Sequence, residues 1–251
     1  SALTGDITIA MGDGNDSLGG ARFKNSDSID MGAGDDSIGL YVTNSSGTPS
    51  YASLNMTKLD GGAGSDTLSF GSMGSQGSTE LTLTHGGITN FENIDGSGGA
   101  DIIRGDSGAN ILRGSGGADT IYGGSGNDIL SGSTSWSPNN DSASQRQQAA
   151  NESLGNDTND NLYGQAGDDV LIGTFGDNIL DGGTGADTIY SGGGSDTIVL
   201  RVGDGGSTLA AADTFADFTD GSDFLGLDGG LAYTDLTIDQ GEGSNSSDTI
   251  I

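Results

Sequence analysis

The chain contains no cysteine, which excludes both disulfide staples and thiolate metal sites. Basic residues are nearly as scarce: seven Lys and Arg stand against 36 Asp and Glu, for a formal net charge of −29. A surface of that sign repels phosphate, which disfavours nucleic acid as a partner. The single histidine, His85, lies in a Thr- and Gly-rich stretch, and neither H-E-x-x-H nor G-x-S-x-G occurs. Zinc-protease and serine-hydrolase chemistry therefore lack their motifs. No apolar run approaches the ~20 residues that cross a bilayer, and Ser1–Gly5 lacks the basic start of a signal peptide. With 31% hydrophobic and 6% aromatic residues, a thick core is not expected either.

What the chain does have is glycine, 49 residues against two prolines, and a short internal period. From Gly96 it reads GSGGADIIR, GDSGANILR, GSGGADTIY and GGSGNDILS. A second array starts at Gly155 with GNDTNDNLY, GQAGDDVLI, GTFGDNILD, GGTGADTIY and SGGGSDTIV. Isolated copies begin at Met11, Met31 and Gly61. Reading back by one repeat from Met31, Gly61 and Gly96 gives Asp27-Ser-Ile, Thr57-Lys-Leu and Glu92-Asn-Ile, which keep the apolar position and lose the glycines.

In this pattern glycines allow a tight, partly left-handed turn, and the last three residues form a short strand with one inward side chain. A single strand of that kind cannot bury itself, so successive repeats must stack. The expected interior ladder is Leu18, Ile38, Leu68, Ile102, Ile111, Ile121, Ile129, Leu162, Leu171, Ile179, Ile189 and Ile198. Two repeats complete one coil, so turns alternate between two edges. Asp16, Asp36, Asp66, Asp101, Asp119, Asp128, Asp160, Asp169, Asp187 and Asp196, with Asn110 and Asn178 in the same place, then form two columns. The turns beside them are shaped by Gly12, Gly14, Gly32, Gly34, Gly62, Gly64, Gly96, Gly98, Gly114, Gly116, Gly123, Gly124, Gly126, Gly182, Gly183, Gly185, Gly192 and Gly194. Carboxylates beside turn carbonyls make an oxygen-only cage, which suits a hard cation such as calcium. Paired acids such as Asp35-Asp36 and Asp168-Asp169 could mimic glycosidase carboxylates, but their fixed register favours ion ligation.

These nonapeptides resemble the RTX, or haemolysin-type calcium-binding, repeats. The resemblance implies an all-β, right-handed parallel β-roll, several calcium ions between stacked turns, and secretion by a type I system. The segment after Val199, with Phe215, Phe218 and Phe224, resembles the C-terminal flank of secreted cyanobacterial RTX proteins and reads as a cap on the stack. The expected organisation is degenerate repeats over 1–95, regular arrays over 96–131 and 155–200, a polar insertion over 132–154 and a cap over 201–251. Gly39–Asn55 and Phe70–Asn90 are further insertions; Asp141–Ala150 could form a short helix, and Trp136 could cover the roll's apolar edge. The stop at Asp248-Thr-Ile-Ile, inside an expected strand, suggests a longer parent protein.

Two finer expectations concern the ions. In the N-terminal part, one edge should carry Asp16, Asp36 and Asp66 on glycine turns, and the other Ile7, Asp27, Thr57 and Glu92 on turns without glycine. Calcium should then line one edge there, with few ions opposite. Asn110 and Asn178 should give weaker sites, having lost a charge. Arg104, Arg113, Tyr122, Tyr163 and Tyr190 share the ninth position and either line a glycan-binding face or shield the strands. The implied function is a non-enzymatic extracellular module of a cell-surface, S-layer-like or adhesive protein, with self-assembly or a cell-surface glycan as further partners. The alternative is the secretion and folding appendage of an exoenzyme such as a protease, lipase or epimerase.

Overall fold

A computed structural model describes residues 6–21, 26–40, 58–71, 80–83, 87–133, 159–204, 211–219, 221–235, 239–240 and 249–250. Thr57, His85, Trp136, the 141–150 helix and most of the 132–154 insertion lie outside them.

The short period of the sequence becomes a stack of parallel strands. Along one side runs a nine-stranded sheet made of Ser17–Ala21, Ser37–Leu40, Thr67–Ser69, Asn93–Asp95, Ile111–Ser115, Ile129–Ser133, Val170–Ile172, Thr188–Tyr190 and Thr214–Phe215. Two sheets share the other side. Thr8–Ala10, Ser28–Asp30, Lys58–Asp60 and Ile88–Thr89 form a four-stranded sheet. Glu80–Thr82, Ile102–Arg104, Thr120–Ser125, Asn161–Ala166, Ile179–Thr184, Thr197–Leu200 and Phe224–Leu227 form a seven-stranded one. Because each strand bonds the one a full coil away, Ile103 pairs with Ile121 and Leu112 with Leu130. This is a β-roll. The one antiparallel pair among the described residues is Asp239–Gln240 with Thr249–Ile250.

A strand of three residues with alternating side chains can send only its middle residue inward. The core is accordingly one cluster running the length of the roll, from Ile29, Ile38, Leu59 and Leu68 through Ile94 and Ile121 to Leu162, Leu171, Ile189 and Ile198. Here the expected ladder needs correcting at four rungs. Ile103, Leu112, Leu130 and Leu180 point inward and are fully buried, whereas Ile102, Ile111 and Ile129 are half-buried and Ile179 is 39% exposed. In these repeats two apolar residues are adjacent, and only the second stands two places after the turn's acidic residue. Leu18 is partly buried at the N-terminal end. A smaller cluster of Ile172 and Tyr190, with Ile111, Ile129 and Val170 against it, lies on the outward face of the nine-stranded sheet.

The second array continues the first without a change of phase. Thr120 pairs with Asn161 and Ile129 with Val170, so both edges skip the same insertion and resume in register. On the outer face of the seven-stranded sheet, Tyr122 and Tyr163 stack with centroids 5.0 Å apart. Arg104 sits 4.3 Å above the Tyr122 ring and pairs with Glu80 at 3.1 Å. Arg113 bonds Asp95 at 2.5 Å, and Arg201 bridges Asp181 and Asp228. Arg104, Arg113 and Arg201 thus offset acids on or beside the strands.

Candidate metal sites

The turns are positioned by backbone geometry that few residues tolerate. At the second and fourth turn positions, Gly12, Gly14, Gly32, Gly34, Gly62, Gly64, Gly124, Gly126, Gly183, Gly185, Gly192 and Gly194 have φ between 92° and 144°. A side chain is strained in that region. Glycine at the first position has a different cause. A Cβ on Gly123 would lie 2.5 Å from Oδ2 of Asp128, on Gly182 2.2 Å from Asp187, on Gly114 2.1 Å from Asp119 and on Gly96 3.0 Å from Asp101. The carboxylate folds under its own turn, and the missing side chain makes room for it. Gly98 and Gly116, at the third position, have ordinary φ.

Stacking brings the acids into two columns joined by one repeated hydrogen bond. At every rung given below the backbone N–H donates to a side-chain oxygen of the rung one coil later, whereas that of Glu92 donates back to the Asp66 carbonyl at 3.2 Å. On one edge Asp16 donates to Asp36 at 2.7 Å, Asp36 to Asp66 at 2.8 Å, and Asp66 to Oε2 of Glu92 at 2.8 Å. The same edge continues from Asn110 to Asp128, Asp169, Asp187 and Asp213. On the other edge Asp101, Asp119, Asp160, Asn178, Asp196 and Asp223 are linked in that order. Glu92 therefore belongs with Asp66 and not opposite it, because a full coil separates the two. Asp27 does stand on the second edge, accepting the Ile7 N–H at 2.9 Å.

With Oδ1 engaged, the second oxygen turns inward. Oδ2 of Asp16, Asp36, Asp66, Asp128, Asp169, Asp187 and Asp196 is buried and accepts no hydrogen bond among the described residues. Burial pushes the carboxyls of Asp66, Asp128 and Asp196 up to about 6, and those of Asp169 and Asp187 to about 7, with neighbouring carboxylates adding to the rise. A buried anion without a donor is costly, and a cation is the ordinary remedy. The donor set fits calcium, since every candidate ligand is oxygen. Among the described residues no three acidic or imidazole side chains converge on one point. Each ion would accordingly take turn carbonyls besides its carboxylates.

Several contributors are invisible in the repeat pattern. Gly132 fills the first position beneath Asp160, where a Cβ would lie 2.0 Å from Oδ2. Ser133 pairs with Ser115 in the second position. The turn therefore runs from Gly132 to Asp160 with the insertion inside it, whereas Gly155 lies outside the described residues. Among the described residues Asp213 and Asp223 end the two columns, and Asp217 accepts the N–H groups of Ser191 and Gly192. Their spacing is irregular, which hid them.

Fold and turns together define a β-solenoid of stacked glycine-and-acid turns. A family model for the RTX calcium-binding nonapeptide repeat matches four copies, over residues 58–72, 93–133, 154–184 and 172–206. The chain carries RTX repeats and is a calcium-binding repeat module. No curated protein matches it.

Proposed function

We propose that this module is the calcium-folded scaffold of an extracellular structural protein of the cell-surface, S-layer-like or adhesive kind, without catalytic activity of its own. The observation that carries this reading is the row of buried inner oxygens, at Asp16, Asp36, Asp66, Asp128, Asp169, Asp187 and Asp196, that have no donor among the described residues. Calcium ligation by these carboxylates and by the turn carbonyls beside them supplies what burial takes away. Inside a cell, where calcium is scarce, a chain of net charge −29 repels itself and stays open for export. Outside, extracellular modules bind at roughly 10⁻⁴ to 10⁻³ M, and metal binding there becomes folding free energy. The glycine turns at Gly12–Asp16, Gly32–Asp36 and Gly62–Asp66 favour ions along one edge of the N-terminal part.

Calcium titration of the metal-stripped chain by far-UV circular dichroism, with magnesium as control, tests the proposal. A cooperative transition to β-structure with calcium and little response to magnesium is expected. Identical spectra in chelator and in millimolar calcium at neutral pH would overturn it.

A further inference from the structure

Residues 96–101 and 114–119 are the same hexapeptide, GSGGAD, yet the two turns differ. Ser115 takes the left-handed conformation of the glycine turns, with φ 84°, and Gly117 follows at 99°. Ser97 and Gly99 have ordinary φ. The consequence falls on the carboxylate. With Ser97 unflipped, its N–H and its Oγ both donate to Oδ2 of Asp101, at 2.7 and 2.9 Å. The next turn repeats the arrangement: Asp106 and Gly108 have ordinary φ, and the Asp106 N–H donates to the inner oxygen of Asn110 at 2.9 Å. Asn110 Nδ2 in turn contacts Oδ1 of Asp106 at 3.3 Å.

Seven turns show the opposite arrangement. The inner oxygens of Asp16, Asp36, Asp66, Asp128, Asp169, Asp187 and Asp196 accept no hydrogen bond among the described residues and belong to turns whose second residue is left-handed: Gly12, Gly32, Gly62, Gly124, Gln165, Gly183 and Gly192, respectively. There the second N–H is turned away from the carboxylate, and the oxygen is left for an ion. In the coil 96–110 an ordinary φ aims the same N–H at the side chain and takes the ion's place, whereas Ser133, also of ordinary φ, donates its N–H to Oγ of Ser131 at 3.3 Å. At the cap, Thr219 makes this contact with Asp223 at 2.7 Å.

We propose that the coil spanning residues 96–110 binds no calcium, although it lies within a stretch matched by the repeat family, and that its own amides replace the ion. It separates a calcium-bearing block at Asp16, Asp36 and Asp66 from one at Asp128, Asp169 and Asp187. This inference rests on the calcium reading above and adds to it which turns the ions occupy.

The test counts bound calcium by calorimetry and native mass spectrometry on the full chain and on two isosteric variants, Asp101→Asn and Asp128→Asn. Wild-type chain that takes up calcium, D128N that loses at least one ion, and D101N that loses none are expected. Loss of an ion from D101N, or no loss from D128N, overturns the inference. A wild-type chain that takes up no calcium instead overturns the calcium reading itself.

Discussion

The backbone N–H of Asp128 donates to Oδ1 of Asp169 at 2.7 Å, across 41 positions of sequence. The equivalent bond from Asp169 to Asp187 spans 18. The excess is the length of the insertion, absorbed inside the turn between Gly132 and Asp160. Replacing residues 134–158 by Ser-Gly, as in the turn at Ser125-Gly126, is expected to leave the calcium-induced β-transition intact. Far-UV dichroism of the shortened chain checks this, and loss of the transition would show that the insertion belongs to the fold.

In chelator the roll should be more stable in mild acid than at neutrality. The carboxyls of Asp66, Asp128, Asp169, Asp187 and Asp196 titrate between about 6 and about 7 in the folded chain. Unfolded Asp titrates near ~3.9. The folded state holds more protons in that window, so its stability is complete below the unfolded value and is lost as pH rises through about 7. Thermal melts in chelator at pH 5 and pH 8 should differ, with the higher midpoint at pH 5. In saturating calcium the order reverses, because protons compete with the ion.

Leu180 and Ile179 are adjacent and should behave oppositely. Leu180→Ala empties a fully buried rung and is expected to cost about 2–5 kcal/mol. Ile179→Ala removes a side chain that is 39% exposed and should cost under about 1.5 kcal/mol. Chemical denaturation in saturating calcium separates the two. Equal losses would place the wrong residue in the core.

Gln165 is held at φ 79° without being glycine. A side chain in that region costs on the order of 1 kcal/mol, and its neighbours on the same edge, Gly124 and Gly183, avoid the cost. Gln165→Gly should therefore raise the melting midpoint in calcium, offset in part by the added freedom of glycine in the unfolded chain. A lower midpoint would mean that the Gln165 side chain makes a contact worth more than the strain.

The period made the stacked strands legible, because Asp16, Asp36 and Asp66 and the nine-residue arrays all place an apolar residue two positions after the Asp or Asn of the turn, while the parallel β-roll came from the resemblance to RTX repeats. Where Ile102 and Ile103 stand together, composition could not say which of them faces inward; only the alternation set by the preceding turn does. The edge of Glu92 was misassigned because an insertion obscured how much of a coil lay between it and Asp66. Gly132 escaped notice because its partner Asp160 lies beyond the insertion. The two GSGGAD turns mark a firmer limit. Identical residues adopt different φ at Ser97 and Ser115, so the difference comes from what each turn stacks against and not from its own sequence.

The ladder of turn amides and carboxylates has a direction. The amides of Asp16, Asp36, Asp66, Asn110, Asp128, Asp169 and Asp187 on one edge, and of Asp101, Asp119, Asp160, Asn178 and Asp196 on the other, reach forward to the side chain of the following coil, while that of Glu92 donates back to the Asp66 carbonyl at 3.2 Å. The roll is in this respect like a zipper with one slider: a coil can be added in one orientation only, and its two ends are chemically unlike. Two such rolls meeting end to end could extend the ladder head to tail, whereas a head-to-head meeting would set carboxylate against carboxylate.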